Sequence, residues 1–238
     1  MSQLPLRIGL SDPPTFANFH DAKPSEALEI LRSHVRGDSA GPLVYLLGPT
    51  GSGKTHLLAA TLHAATERGD RAVGLSPSEP GQASPELLEG LGDTGVVVID
   101  DVENGLGASE WEVALFHLYR RVETSGSKLV VASRLGPQAL EVALPDLASR
   151  LRGALVVRLP VLNEQGQRAV LSARASARGF ELGGDVLEYL LRRARRDMHT
   201  LMQYLERLDA ASLAEKRRIT VPLMRDVLSD AVCTEQDG

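Results

Sequence analysis

The sequence predicts an α/β domain built on a parallel sheet, followed by a smaller, all-helical domain. Short apolar runs alternate with segments of helical periodicity, and this alternation is typical of a parallel sheet that is covered by helices on both faces. Beyond Pro160 only helical periodicity remains. We therefore expect an N-terminal arm at 1–24, an α/β domain at 25–160, a helical domain at 161–232 and a tail at 233–238.

The order of the elements follows from apolar runs and from the turn residues between them. Ser25 begins a helix that places Leu28, Leu31 and Val35 on one face. The predicted strands lie at 43–47, 72–75, 96–99, 128–132 and 155–159. Further helices are predicted after 53, at about 84–91, at 109–124, from the Asn163 cap to about 178, and at 185–194, 197–215 and 222–230.

A complete phosphate-binding loop pattern lies between the first predicted strand and the helix that follows it. Its backbone N–H groups and the helix N-terminus attract phosphate, Lys54 can reach the β and γ oxygens, and Thr55 can hold Mg²⁺. The predicted nucleotide-binding residues of the loop are Gly48, Pro49, Thr50, Gly51, Ser52, Gly53, Lys54 and Thr55.

Two carboxylates follow the apolar run at 96–99. In P-loop proteins an acid at such a strand end lies beside Mg²⁺, so we predict Thr55 and Asp100 as metal ligands, and Asp101 as a residue that could orient a water. The alternative is a pair of solvated acids at a strand end, but the P-loop upstream favours the metal site.

Composition excludes some classes of function. A balance of 26 Lys+Arg against 31 Asp+Glu gives a net charge of −5, which argues against a nucleic-acid surface over the whole molecule but leaves a local basic patch open. Cys233 is the single cysteine, so no internal disulfide can form and a reducing compartment is expected. No apolar run approaches the roughly 18 residues that a membrane helix needs. We expect a cytoplasmic protein without membrane contact.

The P-loop, the acidic strand end and the helical C-terminal part together resemble the AAA+ family, and specifically its DnaA-like branch. The resemblance implies an AAA+ parallel sheet flanked by helices and followed by a smaller, all-helical lid, with nucleotide held between the two. Thr15 to Phe19 resembles the element that packs on adenine in DnaA, which implies nucleotide contacts for Phe16 and Phe19. The alternative is that both rings only plug the edge of the core.

Two arginines acquire roles from the same resemblance. Leu144 to Leu151 resembles the box that carries the arginine finger, which implies that Arg150 acts in trans on ATP held by DnaA. Arg195 to Leu201 resembles the lid motif with the sensor-2 arginine, which implies that Arg196 contacts the chain's own nucleotide. Without the resemblance, Arg150 follows a Pro-Asp-Leu-Ala-Ser turn at the surface, and Arg196 completes a solvated basic run.

Within that branch, the chain resembles the Hda family of DnaA-related regulators over nearly its whole length. Hda proteins carry an N-terminal peptide that binds the sliding clamp, the β subunit of DNA polymerase III, and Gln3 to Leu6 resembles that peptide. The resemblance thus implies Gln3, Leu4 and Leu6 as clamp-binding residues. The most specific matching segments are Pro145 to Arg150, Trp111 with Phe116 to Tyr119, and Arg178 to Leu182.

The implied function is that of a regulator with bound ADP or ATP, with or without Mg²⁺. With the DNA-loaded clamp, it would stimulate hydrolysis of ATP bound to DnaA and so prevent re-initiation of chromosomal replication. A homodimer is compatible with this role. The sequence has no room after the lid for the helix-turn-helix domain of DnaA, so we expect no sequence-specific DNA binding.

One departure from the DnaA-like pattern leaves other functions open. Ser133 and Arg134 occupy the region of the sensor-1 group, which is often Asp, so we expect the chain's own ATPase to be weak. The alternative is an autonomous AAA+ ATPase of the helicase-loader type, because Lys54, Asp100 and Asp101 are all present. A third hypothesis is a scaffold that binds nucleotide only for stability.

Overall fold

Five parallel strands form one sheet in the computed structural model, which describes residues 13–19, 26–39, 41–79, 84–193, 198–215 and 217–234. The strands lie in the order β2-β3-β4-β1-β5, and every neighbouring pair is parallel. Their bounds are β1 Leu43–Leu47, β2 Ala72–Leu75, β3 Val96–Ile99, β4 Lys128–Ser133 and β5 Leu155–Arg158.

Four α-helices cover the two faces of this sheet. They are α1 Glu26–Arg36, α2 Lys54–Glu67, α3 Ser109–Ser125 and α4 Pro145–Arg152. Residues of α1 and α2, such as Leu31 and Leu57, share a core with Val44 of β1, whereas residues of α3 and α4 share a second core with Tyr45. Successive residues of β1 therefore point into different cores, which is why the strand is apolar on both faces. The predicted sheet flanked by helices is confirmed.

Two local predictions in this part of the chain were wrong. The segment predicted as a helix at 84–91 forms two short 3-10 turns, Pro85–Leu88 and Leu91–Asp93. Gly90 separates them with a φ of +76°, a left-handed conformation that no α-helix can contain. The predicted turn before Arg150 is instead the first part of α4, with Pro145 at the helix start, where a missing N–H costs nothing.

The C-terminal part of the described chain consists of helices that surround their own core. They are α5 Glu164–Ala177, α6 Gly184–Arg193, α7 Met198–Glu215 and α8 Val221–Thr234. The Asn163 side chain accepts a 2.8 Å hydrogen bond from the Gly166 N–H and caps α5. Leu171, Leu190 and Met224 are fully buried among these helices.

The chain divides into two compact units between Val161 and Leu162. Among the described helices, none combines the length and the apolarity needed to cross a membrane.

Candidate nucleotide site

The P-loop connects the end of β1 to the start of α2, as predicted, and its backbone leaves little room for side chains. A Cβ atom at Gly48 would lie 3.0 Å from the Leu159 carbonyl oxygen and would also meet the Ser52 hydroxyl. Gly53 has a φ of +92°, and a Cβ there would lie 2.6 Å from the Phe19 ring. Glycine is therefore required at both positions.

The polar groups of the loop fit a phosphate. Lys54 is buried, and its Nζ donates to the Gly48 carbonyl at 2.8 Å and to the Pro49 carbonyl at 3.1 Å. The Ser52 hydroxyl is buried without a hydrogen-bond partner. Gly53 caps α2 without a side-chain hydrogen bond, so the N–H groups of the first helical turn are left for an anion.

The carboxylate predicted to lie beside a metal ion is joined to the P-loop. Thr55 Oγ1 donates to Asp100 Oδ2 at 2.5 Å, and the Asp101 N–H donates to the other carboxylate oxygen at 2.9 Å. Burial raises the pKa of Asp100, and the charge of Asp101 adds to this increase. Asp101 follows with a φ of +45°, a left-handed conformation that is rare for a residue with a side chain.

Thr55 and Asp100 are oxygen donors of the kind that Mg²⁺ prefers. Within the described ranges, no group of three or more His, Cys, Asp or Glu residues could hold a metal ion. Mg²⁺ commonly takes one or two protein ligands and completes its coordination with phosphate oxygens and water, so this pair fits a nucleotide-dependent metal site.

The two phenylalanines predicted to contact adenine have different surroundings. Phe16 is buried in the core beneath α1, with the Arg32 guanidinium 5.7 Å from its ring centroid. Phe19 packs against Gly53 of the P-loop and lies 5.4 Å from the His56 ring. The contact of either ring with adenine remains a prediction.

The end of β4 is hydrogen-bonded to the P-loop and carries an ion pair. The Gly48 N–H donates to the Ser133 carbonyl at 3.1 Å, while the Ser133 hydroxyl is fully buried and accepts from the Leu135 N–H at 3.0 Å. Arg134 donates to Oε1 of Glu103 through both its backbone N–H, at 3.1 Å, and its Nε, at 2.8 Å. Glu103 was not predicted as a site residue, because its partner lies 31 positions away in sequence.

Arg150 lies on α4 and contacts α3. Its Nη1 is 3.5 Å from Oε1 of Glu123, and its guanidinium is 5.3 Å from the ring centroid of Tyr119. The Arg150 side chain is 42% exposed and that of Glu123 is 38% exposed. Neither Glu123 nor Tyr119 belongs to the P-loop.

A buried acid on α3 fixes the segment that leads into α4. Glu112 accepts hydrogen bonds from the N–H groups of Gly107 at 2.9 Å, Ala143 at 3.1 Å and Leu144 at 2.7 Å. Burial alone would raise the pKa of Glu112, but these three donors outweigh that effect and lower it. Sequence reasoning missed Glu112, and its only signal was a charged residue at a position flanked by core residues of the helix.

Four predicted site residues lie outside the described residues. They are Gln3, Leu4 and Leu6 of the predicted clamp-binding peptide, and Arg196 of the predicted sensor-2 motif.

The family model of the Hda lid domain matches residues 164–228 of this chain. The match contains α5, α6, α7 and the first part of α8. It therefore falls on the helical unit that follows the sheet.

Solved structures of DnaA and of a branch-migration motor share the fold of the chain. Domain III of the Thermotoga maritima replication initiation protein DnaA matches with a TM-score of 0.75 and 21% identity, over 91% of this chain and 95% of that chain. AMPPCP-bound DnaA from Aquifex aeolicus matches with a TM-score of 0.69 and 23% identity, over 81% of this chain and 63% of that chain. The Thermotoga maritima RuvB Holliday junction branch migration motor matches with a TM-score of 0.66 and 18% identity, over 91% of this chain and 72% of that chain.

This chain spans 63% of the matched Aquifex aeolicus DnaA chain and 95% of DnaA domain III from Thermotoga maritima. Such identities establish a common fold rather than a common activity. The helical unit thus matches the lid domain of the Hda family, and the chain shares its fold with DnaA domain III.

Proposed function

We propose that this protein carries an adenine nucleotide and uses Arg150 to accelerate hydrolysis of ATP held by DnaA, together with the DNA-loaded sliding clamp, and so prevents re-initiation of replication. The position of Arg150 on α4 is the observation that carries the proposal. Its side chain is 42% exposed, and its guanidinium contacts α3 rather than the P-loop. An accessible cation that does not contact its own phosphate-binding loop is suited to the phosphates of a neighbour.

The nucleotide part of the proposal rests on the P-loop. The unpartnered Ser52 hydroxyl, the Lys54 ammonium and the first turn of α2 all offer donors to phosphate oxygens. The fold shared with DnaA bound to AMPPCP supports an adenine nucleotide, ADP or ATP. Thr55 and Asp100 would hold Mg²⁺, which neutralises phosphate charge when bound.

The contacts of Arg150 hold its guanidinium weakly. The ion pair with Glu123 joins two side chains that are both more than a third exposed, and such pairs contribute roughly 0 to 1 kcal/mol. Arg150 can therefore exchange Glu123 for a phosphate oxygen at low cost. A planar guanidinium beside a γ-phosphate stabilises the charge of the transition state and accelerates hydrolysis by about 10³ to 10⁵.

Two partners follow from this proposal. The shared fold and the Hda lid domain support DnaA as the protein whose nucleotide Arg150 reaches. The clamp would be bound by Gln3, Leu4 and Leu6, because a short extended peptide with leucine anchors fits an apolar groove.

The test measures hydrolysis of radiolabelled ATP preloaded on DnaA, with this protein, clamp and DNA each present or omitted. The proposal predicts rapid hydrolysis only when all components are present, and its loss in a variant with Leu4→Ala and Leu6→Ala. Hydrolysis at the unstimulated DnaA rate under every condition would contradict the proposal.

A second candidate function is an autonomous ATPase of the helicase-loader type. It is favoured by the contact between Thr55 and Asp100, which together with Lys54 forms a complete set for metal-assisted phosphate chemistry. Rapid ATP turnover by the isolated protein, and binding to single-stranded DNA that weakens with salt, would favour this function over the first.

A further inference from the structure

A buried acid and a half-exposed arginine meet where β3 and β4 end, close to the P-loop. Glu103 follows β3 and Arg134 follows β4, and these two strands are paired neighbours in the sheet. Ser133, the residue before Arg134, accepts a hydrogen bond from Gly48, the first residue of the P-loop. Consecutive Cα atoms lie about 3.8 Å apart, so the Arg134 backbone is one residue away from a direct contact with the loop.

Two polar side chains lie at this strand end, those of Ser133 and Arg134, and it is the Arg134 side chain that is able to move. The Ser133 hydroxyl is fully buried and already bonded to the Leu135 N–H. The side chain of Arg134 is 50% exposed, whereas that of Glu103 is only 8% exposed. If the Arg134 guanidinium reached the phosphates of a bound nucleotide, it would stabilise the negative charge that develops during hydrolysis.

Glu103 holds Arg134 in its present position. One carboxylate oxygen accepts from both the Nε and the backbone N–H of Arg134, and the other oxygen is buried without a hydrogen-bond partner. Burial alone would raise the pKa of Glu103, but hydrogen bonds, of which that from the Arg134 side chain has the largest effect, outweigh burial and lower the pKa. Departure of the guanidinium would leave a buried carboxylate without its cation, which is strongly unfavourable.

We infer that Glu103 is a positioning residue that withholds Arg134 from the chain's own nucleotide, so that the protein retains ATP instead of hydrolysing it. This inference rests on the proposed nucleotide site, and it deepens that proposal by naming the residue pair that suppresses hydrolysis. The suppressed reaction is the addition of water to the γ-phosphorus with cleavage of its bond to the β–γ bridging oxygen, which yields ADP, inorganic phosphate and a proton.

The test compares steady-state ATP hydrolysis by the isolated full-length protein with that of its Glu103→Gln variant. Glutamine keeps the shape of the side chain but removes the charge that retains Arg134. We expect kcat to rise at least about 10-fold, the scale of a single charge-stabilising contact, with KM changed by less than about 3-fold. The variant Glu103→Ala, which removes the carboxylate altogether, carries the same prediction if Glu103→Gln does not fold.

Two controls separate this role from a structural one. The double variant Glu103→Gln with Arg134→Ala must lose the gain in kcat, because the released guanidinium is then absent. Glu89→Gln removes an exposed carboxylate by the same substitution and must leave kcat unchanged. A lower melting temperature of Glu103→Gln without a rise in kcat, or a rise that persists in the double variant, would overturn the inference.

Binding of fluorescently labelled ADP to the wild-type protein is measured first. An absence of binding would contradict the proposed nucleotide site itself. Normal binding with an unchanged kcat in Glu103→Gln would contradict only the role of the Glu103–Arg134 pair.

Discussion

Thr55 donates its hydroxyl hydrogen bond to Asp100 across 2.5 Å and thereby joins the start of α2 to the end of β3. These are the two elements that P-loop proteins use to hold a metal ion beside phosphate. Because burial raises the pKa of Asp100, this carboxylate takes up a proton at a higher pH than an ordinary aspartate does. Binding of a metal ion requires the ionised form.

A change of Asp100 to Asn should therefore remove the effect of Mg²⁺ on ATP binding. In the wild-type protein, we expect the Mg²⁺-dependent gain in ATP affinity to decrease as the pH falls through the acidic range, because protonation of Asp100 competes with the metal. Titration of labelled ATP with and without Mg²⁺ at several pH values measures both effects. A Mg²⁺ dependence that is equal in Asp100→Asn and wild type would exclude Asp100 as a ligand.

Lys54→Ala should weaken nucleotide binding by at least about 10-fold, because a charge-assisted contact to phosphate contributes about 1.5 to 3 kcal/mol. The matched control is Lys128→Ala, since Lys128 begins β4 and so lies at the opposite end of the strands from the P-loop, which follows the end of β1. Equilibrium binding of labelled ADP compares the variants. If Lys54→Ala only lowers the melting temperature while stimulation of DnaA is unaffected, nucleotide serves stability alone.

His34 should make the stability of the fold dependent on pH. Its Nε2 lies 3.2 Å from the Leu129 carbonyl and must donate to it, so Nδ1 accepts from the Ser39 hydroxyl at 2.7 Å, and the ring is neutral. Desolvation is the main reason that the pKa of His34 is lowered from 6.5 to about 4. The unfolded chain thus binds a proton at a higher pH than the folded chain, and the stability contributed by neutral His34 is lost as pH falls from 6.5 toward 4.

That loss amounts to about 3 kcal/mol at 1.36 kcal/mol per pKa unit. Urea unfolding between pH 7 and pH 4 measures it in wild type, in His34→Gln and in the control His117→Gln, whose side chain is exposed. We expect His34→Gln to have a smaller decrease in unfolding free energy over this range than the other two proteins. Equal decreases in all three would show that His34 is not responsible.

Glu112→Gln should destabilise the fold and reduce the action of Arg150. The three N–H donors that meet at Glu112 include that of Leu144, the residue before α4, and an amide NH₂ group cannot accept their hydrogen bonds. We expect a loss of about 2 to 3 kcal/mol in unfolding free energy. Weaker stimulation of DnaA-bound ATP hydrolysis should accompany it.

The control for Glu112→Gln is Glu110→Gln, which removes an exposed acid of the same helix. Urea unfolding measures the stability of both variants. The DnaA assay is carried out well below the melting temperature of Glu112→Gln, so that only folded protein is compared. Undiminished stimulation in folded Glu112→Gln would limit Glu112 to a role in stability.

Local patterns were sufficient to predict the sheet, the P-loop and the helical unit, because apolar periodicity and the glycines of the loop act over a few residues. Glu103 and Glu112 could not be predicted, because their partners Arg134 and Leu144 are 31 and 32 positions away and meet them only in the folded chain. The helix predicted at 84–91 failed since Gly90 adopts a left-handed conformation that the periodicity does not reveal.

The most direct test of the central claim is the rate at which ATP bound to DnaA is hydrolysed in the presence of DNA-loaded clamp and either wild-type protein, Arg150→Ala or Arg152→Ala. Arg152 is exposed on the same helix as Arg150, and the Arg152→Ala substitution removes a charge of the same sign. The proposed role of Arg150 predicts that Arg150→Ala lowers the stimulated rate by about 10³-fold or more, to near the basal rate of DnaA, while Arg152→Ala retains most of the stimulation. Full stimulation by Arg150→Ala would contradict a role for this residue as the finger that acts on DnaA.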